Sequence, residues 1–371
     1  MKRIARPTIL AAVAAILGLV TSPVADGFAL TTPRTAVSIT GSGIAGNSRK
    51  SQPVFVEPRT PSTILTTSLS ATNDDKATAS DKTTPEITKP KKKTLKELRA
   101  EGGPFSVNTP IGALNPFAVY YFFVSVGLGI PWFLLCFACQ IIYKITGNRF
   151  DPKRRVPIFF GHCWGMALMR LTRCYPEIEN RHLVHDFYKN KVDGEEPKAM
   201  FVANHCSWMD IPFLGAVMGW RNYKIVSKKE LGIVPILGTA LRSGGHIMVD
   251  RADRRSAIKT LKQGIQYLKK DGLTLATFPE GTRSRSGRMM DFKAGAFKMA
   301  HKAGAPVFPI SIVNSDKVMP LGWMMAMRPA YGLAKVVVHP PIPSNDKTEE
   351  ELVEAVRKSM TEGLPEHQKP L

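Results

Sequence analysis

Residues 117–143 contain no charged side chain. As a helix that run would be about 40 Å long, enough to cross a hydrocarbon core of roughly 30 Å with tilt. A chain with such a run must bury it in a large core or give it to a membrane. Its length and freedom from charge favour the membrane. Gly127, Gly129 and Pro131 fall in its middle, so two arrangements are open: one kinked span, or two half-length helices that re-enter the same leaflet. Tyr120, Tyr121 and Trp132 suit a membrane interface. Lys144, Arg149, Lys153, Arg154 and Arg155 follow closely, where anionic headgroups would lie. Residues 158–171 form a second apolar run, expected to be a helix lying along that surface.

The N-terminal part is of a different kind. Lys2, Arg3 and Arg6 are a basic start, residues 9–20 are an apolar core too short for a comfortable span, and Pro23-Val24-Ala25 leads to small residues. Residues 1–27 therefore read as a signal peptide. Residues 28–93 are rich in Ser, Thr, Pro and Ala, with Arg34, Arg49, Lys50 and Arg59 and almost no acid before Asp74. That composition fits a transit peptide and cannot bury enough apolar surface to fold. Ala25-Asp26-Gly27-Phe28-Ala29-Leu30 resembles the Ala-Phe junction of bipartite presequences in algae with plastids of secondary origin. The resemblance implies a plastid location, with the endoplasmic reticulum as the alternative. Residues 94–175 are expected to hold a short basic helix (94–100) and then the membrane-embedded helices.

The formal charge of +21 calls for anionic partners: membrane lipid, a phosphorylated substrate or nucleic acid. No zinc-finger spacing, RRM-like signature or helix-turn-helix is present, so nucleic acid is not expected. Five cysteines are too few and too scattered for a disulfide framework. Cys136 and Cys139 form a CxxC inside the apolar run and read as small buried apolar residues. No metal site is expected.

From residue 176 to 371 short β-rich runs alternate with helices. Strands are expected at residues 198–203, 223–227, 246–249, 273–278, 307–312 and 334–339. The clearest helix is 254–270, where Ile258, Leu261, Ile265 and Leu268 recur at helical spacing, Asp253 is an N-cap and Asp271-Gly272 is a stop. Others are 297–302 and 349–360, the latter with Thr348 and Glu351 as a capping box. The alternation argues for an α/β fold with a mostly parallel central sheet flanked by helices.

Two stretches carry chemistry. In the first, His205 follows a strand and Asp210 comes five residues later. On one ideal helix those side chains would point to different faces. They meet only if His205 lies in the turn and Asp210 in the first helical turn, the placement of a general base and the group that orients it. In the second, Pro279 ends a strand, Gly281 lets the backbone turn tightly, Thr282 offers a hydroxyl and Arg283 a cationic fork suited to phosphate. Glu280 can orient an arginine or accept from a ligand hydroxyl.

Four blocks in fixed order complete the pattern: Asn204-His205-x4-Asp210, residues 245–251 ending in Arg251, Phe278-Pro279-Glu280-Gly281-Thr282-Arg283-Ser284, and Val307-Phe308-Pro309-Ile310. They resemble the lysophospholipid acyltransferase family, in its plastid and bacterial branch. Ser227-Lys228-Lys229-Glu230-Leu231 and residues 292–297 resemble that branch too. Met248 and Val249 stand where Phe and Ile are more usual, which leaves Arg251 in place. The resemblance implies a glycerolipid acyltransferase-like fold at 176–371. It also implies a 1-acyl-sn-glycerol-3-phosphate O-acyltransferase that moves a fatty acyl group to the sn-2 hydroxyl of lysophosphatidic acid and gives phosphatidic acid. Acyl-CoA or acyl carrier protein would be the co-substrate, with no cofactor. Glycerol-3-phosphate or another lysophospholipid is an alternative acceptor, and a non-catalytic membrane lipid-binding role is a further alternative.

On that reading His205 takes the hydroxyl proton and Asp210 fixes the ring. A route through an acyl-enzyme on Cys206 or Ser207 is the rival. The resemblance assigns acceptor phosphate to the third block and Arg251. On physical grounds Arg283 leads, with Arg251 and Lys228 behind it. Glu280, Gly281 and Thr282 would shape the pocket.

Overall fold

The computed structural model describes residues 106–109, 112–191, 196–234, 236–250 and 252–371. The expected signal peptide, transit segment and basic helix, and Arg251, lie outside the described residues.

After a small hairpin of β1 (Val107–Thr109) and β2 (Gly112–Leu114), the uncharged run forms one helix, α1 (Pro116–Thr146). Asn115 caps it, its side chain accepting from Ala118 N, and Gly147 ends it in the left-handed region. The helix continues through Pro131, so of the two arrangements left open the single continuous helix is the observed one. With 31 residues it is about 46 Å long, and by length and composition it can cross a membrane. One stripe, including Tyr121, Gly129, Cys136, Cys139 and Tyr143, is buried, whereas Phe123, Ile130, Leu134 and Ile145 are exposed. Cys136 and Cys139 are free thiols on the buried stripe.

The second apolar run forms α2 (Arg155–Leu171). It was expected to lie along a surface, but it is wedged inside the fold. Ile158, Met166, Leu168 and Met169 are buried, and Trp164 stacks on Trp132 of α1 at 4.4 Å. An alternation of large apolar and small residues along one face lets α2 serve as packing layer between α1 and the sheet.

The remaining elements are β3 (Glu177–Glu179), α3 (Arg181–Lys189), β4 (Met200–Ala203), α4 (Asp210–Met218), β5 (Tyr223–Lys228), a 3-10 turn (Lys229–Ile233), α5 (Leu237–Ser243), β6 (Ile247–Val249), α6 (Arg254–Lys269), β7 (Thr274–Thr277), α7 (Gly295–Ala303), β8 (Val307–Val313), α8 (Ser315–Val318), β9 (Lys335–Val338) and α9 (Glu349–Glu362). The strands form one sheet in the order β3-β9-β8-β4-β7-β5-β6. From β8 to β6 all neighbours are parallel. β9 runs antiparallel to β8 and carries β3 parallel to itself. The sheet is therefore mixed, with a parallel block and a reversed edge.

β4 sits in the middle, flanked by β8 and β7. Its side chains alternate between two cores. Phe201 and Ala203 join the core under α2 and α4, while Met200 and Val202 join the core under α6, α7 and α9. Burial on both faces explains why β4 reads as an unbroken apolar run. Phe201 stacks on Phe308 of β8 at 4.7 Å, with the ring planes nearly parallel at 4°. The expected caps are present: Asp253 accepts from Arg255 N and Ser256 N, and Thr348 with Glu351 forms the capping box of α9.

One lysine joins the helical layer to the sheet. Lys224 of β5 is almost fully buried, and its ammonium donates to the carbonyls of Lys153 (2.9 Å) and Gly244 (2.8 Å) and to Asn222 Oδ1 (2.9 Å). The chain leaving α1 is thereby fastened to the beginning of β5.

Candidate active site

In a parallel block every strand delivers its following loop to the same edge, which is where such folds place their chemistry. Here β4 delivers Asn204 and His205, β7 delivers Phe278 to Arg283, β5 ends at Lys228 and β6 leads towards Asp250. Topology thus brings the first and third blocks to one edge, while Val307–Ile310 of the fourth runs alongside Met200–Ala203 within the sheet.

The turn after β4 is strapped from three sides. The Asn204 carboxamide pairs with both backbone groups of Ile312, donating to its O at 2.9 Å and accepting from its N at 2.7 Å. Ser207 Oγ donates to Met319 O at 2.7 Å, and Cys206 Sγ donates to Gly287 O at 3.3 Å. The loop after β7 then grips His205 through its backbone. His205 N donates to Glu280 Oε1 at 2.8 Å, and Ser284 N donates to His205 O at 2.8 Å.

Asp210 begins α4, as expected, and a carboxylate there complements the helix N-terminus. Its Oδ2 lies 2.7 Å from His205 Nδ1 and also accepts from Cys206 N (2.7 Å) and Ser207 N (2.8 Å). The Asp210 side chain is fully buried and that of His205 is 15% exposed. A carboxylate at Nδ1 fixes the tautomer with the proton on Nδ1. The Nε2 lone pair is then left for a substrate. Phe278 stacks on the imidazole at 4.0 Å and 14°, which restrains the ring about χ2.

Glu280 lies deeper than its expected pocket-shaping role requires. It is 3% exposed, and its second oxygen accepts from Met290 N at 3.1 Å. Both carboxylate oxygens hold backbone, one on each side of the loop. Burial pushes its carboxyl up to about 8, against the pull of the two N–H donors.

Arg283 is half-buried, its guanidinium 4.6 Å above the Trp208 ring. Burial lowers it from its ordinary value and the Asp210 charge works the other way. A desolvated, stacked guanidinium close to the His205 turn suits an anion. Gly281 adopts φ +74°, and a Cβ there would come within 2.8 Å of Lys293 Nζ. Thr282 and Lys293 are exposed on the same loop. Lys228 is also exposed and forms a surface ion pair with Glu230 at 3.1 Å. Such a pair holds little energy and leaves the lysine available.

The structure bears on the rival nucleophiles too. Cys206 and Ser207 are fully buried with their side chains directed at carbonyl groups. Burial, Asp210 and Glu280 together hold the Cys206 thiol well above its ordinary value, the opposite of an activated thiolate.

The sequence reading did not single out Phe278 as the ring stacked on His205, nor Lys293. An aromatic just after β7 and a lysine at the end of the same loop give no signal until the loop is folded back.

Comparisons with known proteins identify a family. A family model described as Acyltransferase matches residues 177–313. The chain is 38% identical over 185 residues to a 1-acyl-sn-glycerol-3-phosphate acyltransferase of Chlamydomonas reinhardtii, covering 48% of this chain and 54% of that one. It is 36% identical over 165 residues to a chloroplastic one of Brassica napus, covering 43% and 46%. A Cocos nucifera enzyme of the same name is 30% identical over 258 residues, 67% of this chain and 79% of its own. The chain thus spans about half the length of the first two of these relatives. The crystal structure of the 1-acyl-sn-glycerophosphate acyltransferase PlsC from Thermotoga maritima superposes with a TM-score of 0.52 at 24% identity, over 67% of this chain and 92% of that one, a likeness of fold. With its matched segment and a relative 30% identical over 79% of that relative's length, the chain belongs to the acyltransferase family that includes the 1-acyl-sn-glycerol-3-phosphate acyltransferases.

Proposed function

We propose that this protein is a membrane-bound enzyme that transfers a fatty acyl group from a thioester to the sn-2 hydroxyl of 1-acyl-sn-glycerol-3-phosphate, giving phosphatidic acid. The observation that carries the proposal is the 2.7 Å contact between His205 Nδ1 and buried Asp210 at the end of a central strand. An imidazole so held accepts a proton at Nε2. As it takes the hydroxyl proton, the hydroxyl oxygen bonds to the thioester carbonyl carbon. Collapse of the tetrahedral adduct expels the thiolate, which takes the proton back from the imidazolium. Asp210 stabilises the imidazolium between the two steps. No covalent enzyme intermediate is needed, and the burial of Cys206 and Ser207 supports the direct route.

Arg283 holds the acceptor phosphate on this reading, with Arg251 and Lys228 as auxiliary cations. Glu280 acts on the pocket through the backbone of His205, and Gly281 and Thr282 form its wall. The named activity of the relatives supports the acceptor, and the chloroplastic name of one supports a plastid membrane. The long apolar helix α1 supports membrane attachment. The donor is acyl carrier protein or coenzyme A thioester.

The test is acyl transfer to lysophosphatidic acid, glycerol-3-phosphate and other lysophospholipids from both donors. Wild type is expected to prefer lysophosphatidic acid. His205→Ala is expected to lose at least about a thousandfold in rate while keeping its unfolding transition and membrane association. Substantial activity in His205→Ala would overturn the mechanism, and preference for another acceptor would overturn the substrate.

A further inference from the structure

A cleft of about 1010 Å³ lies away from the edge that carries His205 and Asp210. It lies where α4 ends, between the beginning of α2 and one side of α3. α4 connects the two places: Asp210 opens it at the catalytic turn, and Val217 and Gly219 line the cleft at its other end. Nine residues of helix put about 13 Å between them.

The lining has two characters. Arg155, Arg181, Lys189 and Arg221 bring four cations, against a single acid, Glu196. Between them lies apolar surface from Phe159, Phe160, Ile158 and Trp220. One of them, Lys189, is paired with Asp186 at 3.2 Å on the surface, while the arginines are held by other contacts. The Arg221 guanidinium is stacked 4.4 Å over Tyr188 and donates to Met218 O at 3.0 Å. Arg181 donates to Tyr175 Oη at 3.3 Å and Ala216 O at 3.2 Å. Neither arginine forms an ion pair with a carboxylate among the described residues, nor does Arg155. Trp220 is half-exposed, yet it is ordered by contacts with Phe159 at 5.2 Å and His162 at 4.2 Å. An exposed tryptophan set among unneutralised arginines has an apolar face and a cationic rim.

We propose that this cleft binds a second lipid, an anionic glycerophospholipid, at a site separate from the acyl-transfer centre. Its phosphate sits among Arg155, Arg221 and Lys189, and the first part of an acyl chain lies on Phe159 and Trp220. The shape favours this occupant. A free phosphate would leave the aromatic floor uncovered. Arg155 also begins the first helix after α1, so the rim lies close in sequence to the apolar helix. Through α4, occupancy of the cleft bears on the helix that carries Asp210.

The test uses the full chain in neutral detergent, titrated with phosphatidylglycerol carrying brominated acyl chains. The signal is the tryptophan fluorescence that is absent in Trp220→Phe. Saturable quenching of that component is expected, with no saturation for brominated phosphatidylcholine. In the double variant Arg155→Glu with Lys189→Glu, both surface positions, the apparent affinity should fall about tenfold or more. The unfolding midpoint is measured alongside to show that the variant is folded. Equal quenching by phosphatidylcholine, or unchanged affinity in the double variant, would overturn the proposal. So would displacement by inorganic phosphate or adenosine 3′,5′-bisphosphate at concentrations where the unbrominated lipid does not compete. Because the readout is binding, the result is independent of whether the chain acylates lysophosphatidic acid.

Discussion

On the proposed mechanism, Glu280 would serve the reaction without meeting the substrate. Each of its oxygens takes one backbone N–H, from His205 and from Met290. Glu280→Gln keeps the shape but replaces one acceptor with an NH2 group facing an N–H. That leaves a buried donor unmet, at a cost of about 1–3 kcal/mol. The expected signature is a lower kcat with little change in KM for the acceptor, since the base moves and the phosphate site does not. A rise in KM alone would count against a positioning role. The pH dependence has a definite sign. The folded value of about 8 is above that of a free carboxyl, so the folded state holds a proton that the unfolded chain gives up. The stability this proton contributes is complete below about pH 4.5 and is lost as pH rises through about 8. Chemical denaturation at intervals between pH 4.5 and 8 should show that decline in wild type and a flatter profile in Glu280→Gln.

At the scale of elements, α1 is the sharpest case. Its exposed face carries Ile130 (52% exposed) and Leu134 (57%) near the middle, opposite the stripe that holds Cys136 and Cys139. Ile130→Lys with Leu134→Asp would cost about 5–7 kcal/mol at the centre of a bilayer and almost nothing in water. Alkaline extraction of membranes should release a much larger fraction of this variant, with the folded core intact by protease resistance. Retention equal to wild type would argue that α1 does not sit in lipid. The elements also show what a sequence can and cannot convey. The six strands foreseen are present because each is a short apolar or β-branched run, and five of them lie in the parallel block. β3 escaped notice because Glu177-Ile178-Glu179 is a three-residue edge strand with a single apolar side chain, visible only through its pairing with β9. α3 and α5, of nine and seven residues, are too short to show a period. The reversal at β9 depends on a loop rather than on the strand's own residues. The His205 and Asp210 relation was legible because a five-residue separation permits contact in only one local shape. The inward turn of Glu280 was not, because it depends on Met290 returning to the same place.

For the whole molecule, the charge of +21 and the apolar α1 together describe a protein drawn to an anionic surface. Residues 1–93 are proposed to direct it to the plastid. A fluorescent protein fused behind those residues should accumulate in plastids of an alga with secondary plastids, and Phe28→Ala should divert it. Retention along the secretory pathway by the unmodified segment would remove the plastid assignment and leave the endoplasmic reticulum.

The central place of β4 has a further consequence, for the order in which the molecule becomes an enzyme. Its partners begin at Leu275 and Val307, and the straps on its turn come from Glu280, Ile312 and Met319. A ribosome that has just released His205 has yet to make every one of them. The apolar α1 emerges long before, so attachment to a membrane can precede any catalytic ability. Contacts this distant in sequence form slowly. On the proposed mechanism, catalytic ability would therefore be among the last properties acquired in synthesis, and a chain interrupted before residue 319 would lack the strap on the His205 turn from Met319.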